Sequence, residues 1–114
     1  MVKHYDESTK TITLVTDVKY DNGGKPKLET KEFLFPIFVK GVYTKKAIQL
    51  GKELEGNNYV VPEDLFDRLT AFIVDMYGKQ FTTDQLVDGI HSGKIIETYI
   101  DILMGTLQGD SKNE

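Results

Sequence analysis

The stretch VDMYGKQFTTDQLVDGIHSG, residues 74–93, decides the fold because it stops one helix and starts another within a few residues. Gly78 stands where a residue in the left-handed conformation commonly ends a helix. Thr82 and Gln85 have the spacing of a capping box, in which each side chain bonds to the backbone N–H of the other residue. The pattern therefore predicts a tight, specified connection between two helices.

Apolar residues recur at helical spacing on both sides of this connection, and a second helical pattern lies further upstream. Pro62 suits the first turn of the helix that leads into the connection, and Gly89 suits the end of the short helix that follows it. Thr44 is the predicted N-cap residue of the upstream helix. The predicted helices cover residues 44–55, 62–77, 83–88 and 94–107.

The N-terminal part of the chain has the pattern of strands. Residues 11–20, TITLVTDVKY, alternate in polarity with the period of two that is typical of a half-buried strand. On this pattern one face of the strand carries Ile12, Leu14, Val18 and Tyr20. The turn-forming run DNGGKP follows, and a returning strand stops before Pro36, so both strands lie within about residues 11–35.

Together these patterns predict an α+β fold, with an N-terminal antiparallel β-hairpin or small sheet followed by a helical C-terminal half of about four helices. An isolated hairpin is at best marginally stable in water, so the helices must cover one of its faces. The length allows one domain with one core. We predict a single domain over residues 1–109 and a flexible tail over residues 110–114.

Composition and charge narrow the classes of function. The 114 residues carry a net charge of −4 and no cysteine, which removes disulfides, thiolate metal ligands and thiol nucleophiles. Residues 1–52 contain ten lysines and six acidic residues, whereas residues 53–101 contain three basic and ten acidic residues. Because nucleic-acid binding depends on Lys and Arg neutralising phosphates, the acidic helical half argues against a nucleic-acid partner.

No apolar run approaches the roughly 20 residues that a membrane-spanning helix needs, so we expect no membrane partner. The N-terminal residues also lack the apolar core of a signal peptide, which favours a cytoplasmic location.

Residue types with catalytic or metal-binding potential are scattered. The two histidines, His4 and His91, are far apart, and His4 falls in an N-terminal segment that we expect to be loose. Asp88, His91 and Ser92 are the residue types of a hydrolase triad, but a single turn does not supply the separated geometry that a triad requires. The sequence predicts no catalytic residue, no cofactor and no metal site.

Most aromatic side chains lie in apolar company and are expected in the core. They are Phe33, Phe35, Phe38, Tyr43, Phe66, Phe72, Tyr77 and Phe81.

The last helix, residues 94–107, carries more apolar surface than a surface helix of a small domain normally buries. Two interpretations stay open: it is a central core helix, or part of it meets a partner protein. In the second case the candidate partner-binding residues are Ile95, Tyr99, Ile100 and Leu103.

An ordered set of motifs over most of residues 33–109 carries a resemblance to a known family. The turn DMYGKQFT spans residues 75–82, the short helix after it ends in Asp88-Gly89, and FPIFVKGVYTKKAIQLGKELE spans residues 35–55. This set resembles the tail assembly chaperones of long-tailed phages and prophages of Gram-positive bacteria. The family-motif residues of the turn are Tyr77, Gly78, Gln80, Phe81, Thr82, Asp88 and Gly89.

The resemblance implies a non-enzymatic protein that binds the long, helical, aggregation-prone tape measure protein. Such proteins keep the tape measure protein soluble in the host bacterial cytoplasm while the tail tube polymerises, and they are absent from the mature virion. The major tail protein and a second copy of the chain are further candidate contacts.

Two other interpretations remain. A phage connector subunit or a small regulator would also be an interaction module, and a connector would be stoichiometric in purified virions. An enzyme or ligand-binding domain would show a concave pocket with converging polar groups.

Overall fold

A computed structural model describes residues 2–108, in which a three-stranded antiparallel sheet precedes four helices. The strands are β1 (Tyr5–Asp6), β2 (Thr11–Tyr20) and β3 (Pro26–Phe33), and the helices are α1 (Val42–Gly56), α2 (Glu63–Met76), α3 (Thr83–Asp88) and α4 (Ile95–Gln108). The predicted α+β class, with a small N-terminal sheet and four helices, is confirmed.

β2 and β3 form the predicted hairpin, paired from Ile12 opposite Phe33 to Tyr20 opposite Pro26. The Asp21 carboxylate closes the turn by accepting from the backbone N–H groups of Gly23 and Lys25, each at 2.9 Å. β1 adds a short third strand along the other edge of β2, in the order β1-β2-β3.

A β-bulge at residues 15–17 divides β2 into two halves, and even-numbered residues lie on opposite faces of the sheet before and after it. Ile12 and Leu14, before the bulge, are buried in the core, whereas Val18 and Tyr20 are exposed. The bulge adds a residue to β2 alone, which shifts the alternation of its side chains to the opposite face. The prediction that these four side chains share one face was therefore wrong.

The N-terminal segment is tied to the fold, contrary to the expectation that it is loose. The buried ring of His4 places Nδ1 2.8 Å from the Thr13 carbonyl oxygen, and its Nε2 accepts from the backbone N–H of His91 at 3.2 Å. Since Nε2 is the acceptor, Nδ1 carries the hydrogen and donates to Thr13. The imidazole thereby joins β2 to the loop before α4, a long-range contact that sequence spacing does not reveal.

The connection between α2 and α3 has the predicted geometry. Gly78 has a φ of 71°, the left-handed conformation expected after a helix end. The Thr82 hydroxyl accepts from the Gln85 N–H at 3.0 Å, and the Gln85 side chain accepts from the Thr82 N–H at 2.9 Å, so the capping box is confirmed.

α1 begins earlier than predicted, at Val42, with Gly41 as its N-cap and no side-chain capping bond. The prediction of Thr44 as N-cap was wrong because Tyr43 belongs to the helix, where its ring lies 6.2 Å from that of Phe72 on α2. Tyr43 therefore packs against α2 from within the first turn of α1.

One cluster of buried side chains joins the sheet to all four helices. The distal half of the hairpin extends beyond this cluster, and its residues 16–32 are exposed. Within the described part of the chain, no helix is both long and apolar enough to cross a membrane. The predicted domain limit at residue 109 and the predicted flexible tail over residues 110–114 lie outside the described residues, so both stay predictions.

Candidate functional site

The four candidate partner-binding residues on α4 fall into two classes. Tyr99 and Leu103 are fully enclosed, whereas Ile95 and Ile100 are only partly buried and pack against the edge of the core. The enclosed pair is unavailable to a partner in this conformation. The role predicted for the four residues stays a prediction, and Ile95 and Ile100 are the members with surface to offer.

Contacts from α2 explain why so apolar a helix as α4 is covered. The Tyr99 ring stacks on Phe66 with 5.1 Å between ring centroids, and its hydroxyl lies 2.8 Å from the Thr70 hydroxyl. Because the Thr70 hydroxyl donates to the Phe66 carbonyl, the Tyr99 hydroxyl is the donor in the Tyr99–Thr70 bond. Burial raises the pKa of Tyr99 to about 12, so the hydroxyl remains a donor in neutral solution. Of the two interpretations of α4, this packing matches a central core helix.

The family-motif turn joins three parts of the fold. The Tyr77 hydroxyl donates to the Lys10 carbonyl at 2.8 Å, which binds the end of α2 to the segment before β2. The Gln80 side-chain amide donates to the Leu34 carbonyl at 2.8 Å and to the Tyr77 carbonyl at 2.9 Å. The Tyr77 ring also meets the ring of Phe35 edge-on, at 5.4 Å between centroids. The turn therefore holds the start of the segment that follows β3.

Other motif residues shape this turn. Lys79 follows Gly78 with a second positive φ, of 58°, so two consecutive left-handed residues reverse the chain. Phe81 is buried and packs edge-on against Phe33 at 5.0 Å between centroids. Asp88 is exposed at the end of α3.

Gly89 is fitted tightly against the sheet. Its carbonyl accepts from the Val15 N–H at 2.8 Å, next to the β-bulge. A Cβ at this position would lie 2.7 Å from the Gln85 carbonyl oxygen and 2.8 Å from the Leu14 Cβ. A glycine is needed here because no side chain fits between α3 and β2.

The segment between β3 and α1, residues 34–41, and the first residue of α1 expose apolar side chains, an exposure that was not predicted from the sequence. We call Leu34, Ile37, Phe38 and Val42 the linker patch; Ile37 is fully exposed and Phe38 is 79% exposed. The expectation that Phe38 belongs to the core was wrong. Isolated exposed apolar residues are ordinary, but a run of them in one segment is typical of an interaction surface.

The segment that carries the linker patch is held in place by the backbone of Leu34 and by the side chains of Phe35 and Val39. Before it, β3 ends at Phe33, short of the predicted limit of residue 35, because the Leu34 carbonyl bonds to Gln80 instead of continuing the ladder. Phe35 lies against Tyr77, and Val39 packs against the edge of the core. The exposed side chains therefore stand on an anchored segment.

A sequence feature was present that could have identified the patch. LFPIFV, residues 34–39, is an apolar run that contains Pro36, which lacks the N–H needed in a central strand. Apolar side chains are usually buried by the packing of a helix or strand, and a run that forms neither lacks this packing. Pro36 was predicted only to end the strand.

Comparison with protein families gives a match along nearly the whole chain. The family described as phage tail chaperone protein matches residues 7–114. The chain belongs to this family. The match includes the linker patch, the turn and α4, and it confirms the resemblance at the level of the family. No curated protein and no solved structure matches the chain.

Proposed function

We propose that this phage tail chaperone family member binds the tape measure protein and keeps it soluble during assembly of the tail tube. The observation that carries the proposal is the linker patch, an anchored run of exposed apolar side chains on a member of this family. Burying a fully exposed Ile or Phe side chain contributes roughly 1.5–3 kcal/mol. A few such side chains suit weak, repeated binding along a long client, which becomes firm through multivalency.

The same proposal covers mode of action and location. We infer that the protein acts by binding and not by catalysis, since membership of a chaperone family supports a binding role. Its site of action is the host bacterial cytoplasm, and it is absent from the mature virion. We also propose that the host is a Gram-positive bacterium and that the major tail protein is a further contact.

Co-expression with the tape measure protein of the same phage tests the function directly. The expected result is that the soluble fraction of the tape measure protein rises when this chain is present. No change in that fraction would overturn the proposed function.

A paired variant tests the surface. Ile37→Ser with Phe38→Ser removes the most exposed apolar side chains of the linker patch, and we expect it to reduce the soluble client. The matched control is Tyr59→Ser with Val60→Ser, which removes an exposed aromatic and an exposed β-branched side chain from the loop before α2. Equal losses from both pairs would contradict a specific role for the linker patch.

Analysis of purified virions separates this function from that of a connector. The proposal expects the protein in lysates of infected cells and not in finished particles. A stoichiometric amount in particles would instead identify a structural subunit.

A further inference from the structure

The linker patch lies in the longest acid-free part of the chain. Residues 33–52 contain Lys40, Lys45, Lys46 and Lys52 and no Asp or Glu. All four lysines are exposed, and among residues 2–108 none of them forms an ion pair. The exposed apolar side chains therefore lie in a segment whose charged residues are all lysines, none of which forms an ion pair within the described chain.

Two features of α1 strengthen this positive field. The first turn of α1 contains no acidic residue and has no side-chain cap, although acidic residues are favoured at that end of a helix. Lys45 lies in that turn, where its charge adds to the positive end of the helix dipole. An arrangement that is mildly unfavourable in the free protein becomes favourable once a negatively charged partner binds.

We propose that the linker patch takes acidic amphipathic helices, that is, helical segments with an apolar stripe flanked by Asp or Glu. The inference rests on the proposed function and names the chemistry of the client segments. Ile37, Phe38 and Val42 provide the apolar contacts. Lys40 and Lys45 lie next to them in the chain and pair with the flanking carboxylates, since complementary charge selects partners and sets register.

Two synthetic peptides of about 20 residues, long enough for an Ala-rich helix to form in water, serve as probes. Both carry the same Leu stripe, and one has Glu where the other has Lys along its flanks. We expect the Glu peptide to bind the full chain more tightly at low salt, by about tenfold or more, as measured by fluorescence anisotropy. The preference should shrink in high salt, because the screening length falls from about 10 Å at 0.1 M to about 3 Å at 1 M.

Charge reversal locates the effect. Lys40→Glu with Lys45→Glu should abolish the preference for the Glu peptide. This pair is expected to leave folding intact, because both side chains are exposed and an acidic residue at position 45 is favoured in the first turn of a helix. The matched control is Lys25→Glu with Lys27→Glu, which makes the same change in net charge at exposed positions on the hairpin.

Three results would overturn the inference: equal binding of the two peptides, an unchanged preference in the Lys40/Lys45 variant, or an equal loss in the Lys25/Lys27 control. A further result, a dimer of the wild-type chain that dissociates in the Lys40/Lys45 variant, would assign the patch to a second copy and also overturn it. Light scattering at the peptide-binding concentration measures this.

Co-expression separates this inference from the proposed function. If the wild type solubilises the tape measure protein and the Lys40/Lys45 variant does so equally well, the function stands and the acidic-helix inference fails. If the wild type binds the Glu peptide but leaves the tape measure protein insoluble, the charge preference stands and the proposed function fails.

Discussion

α4 and the linker patch are both apolar, but they differ in how far their side chains are buried. Both segments are rich in Ile, Leu and aromatic side chains, yet Tyr99 and Leu103 of α4 are enclosed while Ile37 and Phe38 of the linker patch face solvent. α4 lies against α1, α2 and β1, whereas the side chains of Ile37 and Phe38 stay exposed although the Gln80–Leu34 bond holds their segment to the family-motif turn. The comparison teaches that the apolar content of a segment shows how much surface would gain from burial. Only the fold shows whether another element buries that surface.

The largest expected effect tests this contrast directly. Leu103→Ala should reduce the free energy of unfolding by about 2–5 kcal/mol, because it leaves a cavity in the core. Ile37→Ala should change it by less than about 0.5 kcal/mol, because the side chain contacts mainly water. Denaturant unfolding followed by circular dichroism measures both values, and similar losses in the two variants would contradict the contrast.

A second substitution tests how closely the helical half is fitted to the sheet. Gly89→Ala forces a Cβ against the Gln85 carbonyl and Leu14, and we expect a loss of about 1–3 kcal/mol. Gly56→Ala is the matched control, since a Cβ there meets nothing within 4 Å, and it should be neutral or stabilising. A neutral Gly89→Ala variant would mean that α3 can shift away from β2 at little cost.

Tyr99→Phe tests the polar contact that fastens α4. Removing the hydroxyl deletes the hydrogen bond to Thr70, with an expected loss of about 0.5–1.5 kcal/mol at neutral pH. The pKa of Tyr99 is raised from 10.0 to about 12 by burial, so the folded state disfavours the phenolate. The contribution of neutral Tyr99 is thus complete below pH 10 and is lost as the pH rises toward 12.

The measurement is the unfolding free energy of both proteins across that pH range. The gap between wild type and Tyr99→Phe should narrow as the pH rises from 10 to 12, since only the wild type has this hydroxyl to ionise. A constant gap would show that the Tyr99 hydroxyl does not titrate differently in the folded and unfolded states.

The smallest expected change in stability concerns the anchor of the linker patch. Gln80→Ala removes the bonds to the Leu34 and Tyr77 carbonyls, and because Gln80 is exposed we expect a loss of about 0.5–1 kcal/mol. Its effect should be local, with faster amide hydrogen exchange in residues 34–39. Gln49→Ala, at an exposed position on α1, is the control that should leave this exchange unchanged.

Caps and turns that depend on neighbouring residues were predicted from the sequence. The capping box of Thr82 and Gln85, the left-handed Gly78 and the Asp-Asn-Gly-Gly turn each depend on a few neighbouring residues, and each was predicted. The predictions failed where distant residues intervene. Tyr43, within the first turn of α1, contacts Phe72 on α2, and His4 is held by Thr13 and His91.

The sequence by itself determined the α+β class, the helical periodicity and the family, since these depend on residue order and on patterns that local backbone energetics recognise. Tertiary structure alone decided which apolar surface is left over. It buried Tyr99 and Leu103 against the other elements and left Ile37 and Phe38 exposed. Through the bulge it also put Val18 and Tyr20 on the face of the sheet opposite Ile12 and Leu14. The physical reason is that the hydrophobic effect is non-directional. The residue type sets how much free energy burial of a side chain contributes, and the arrangement of the other elements decides which side chains are buried.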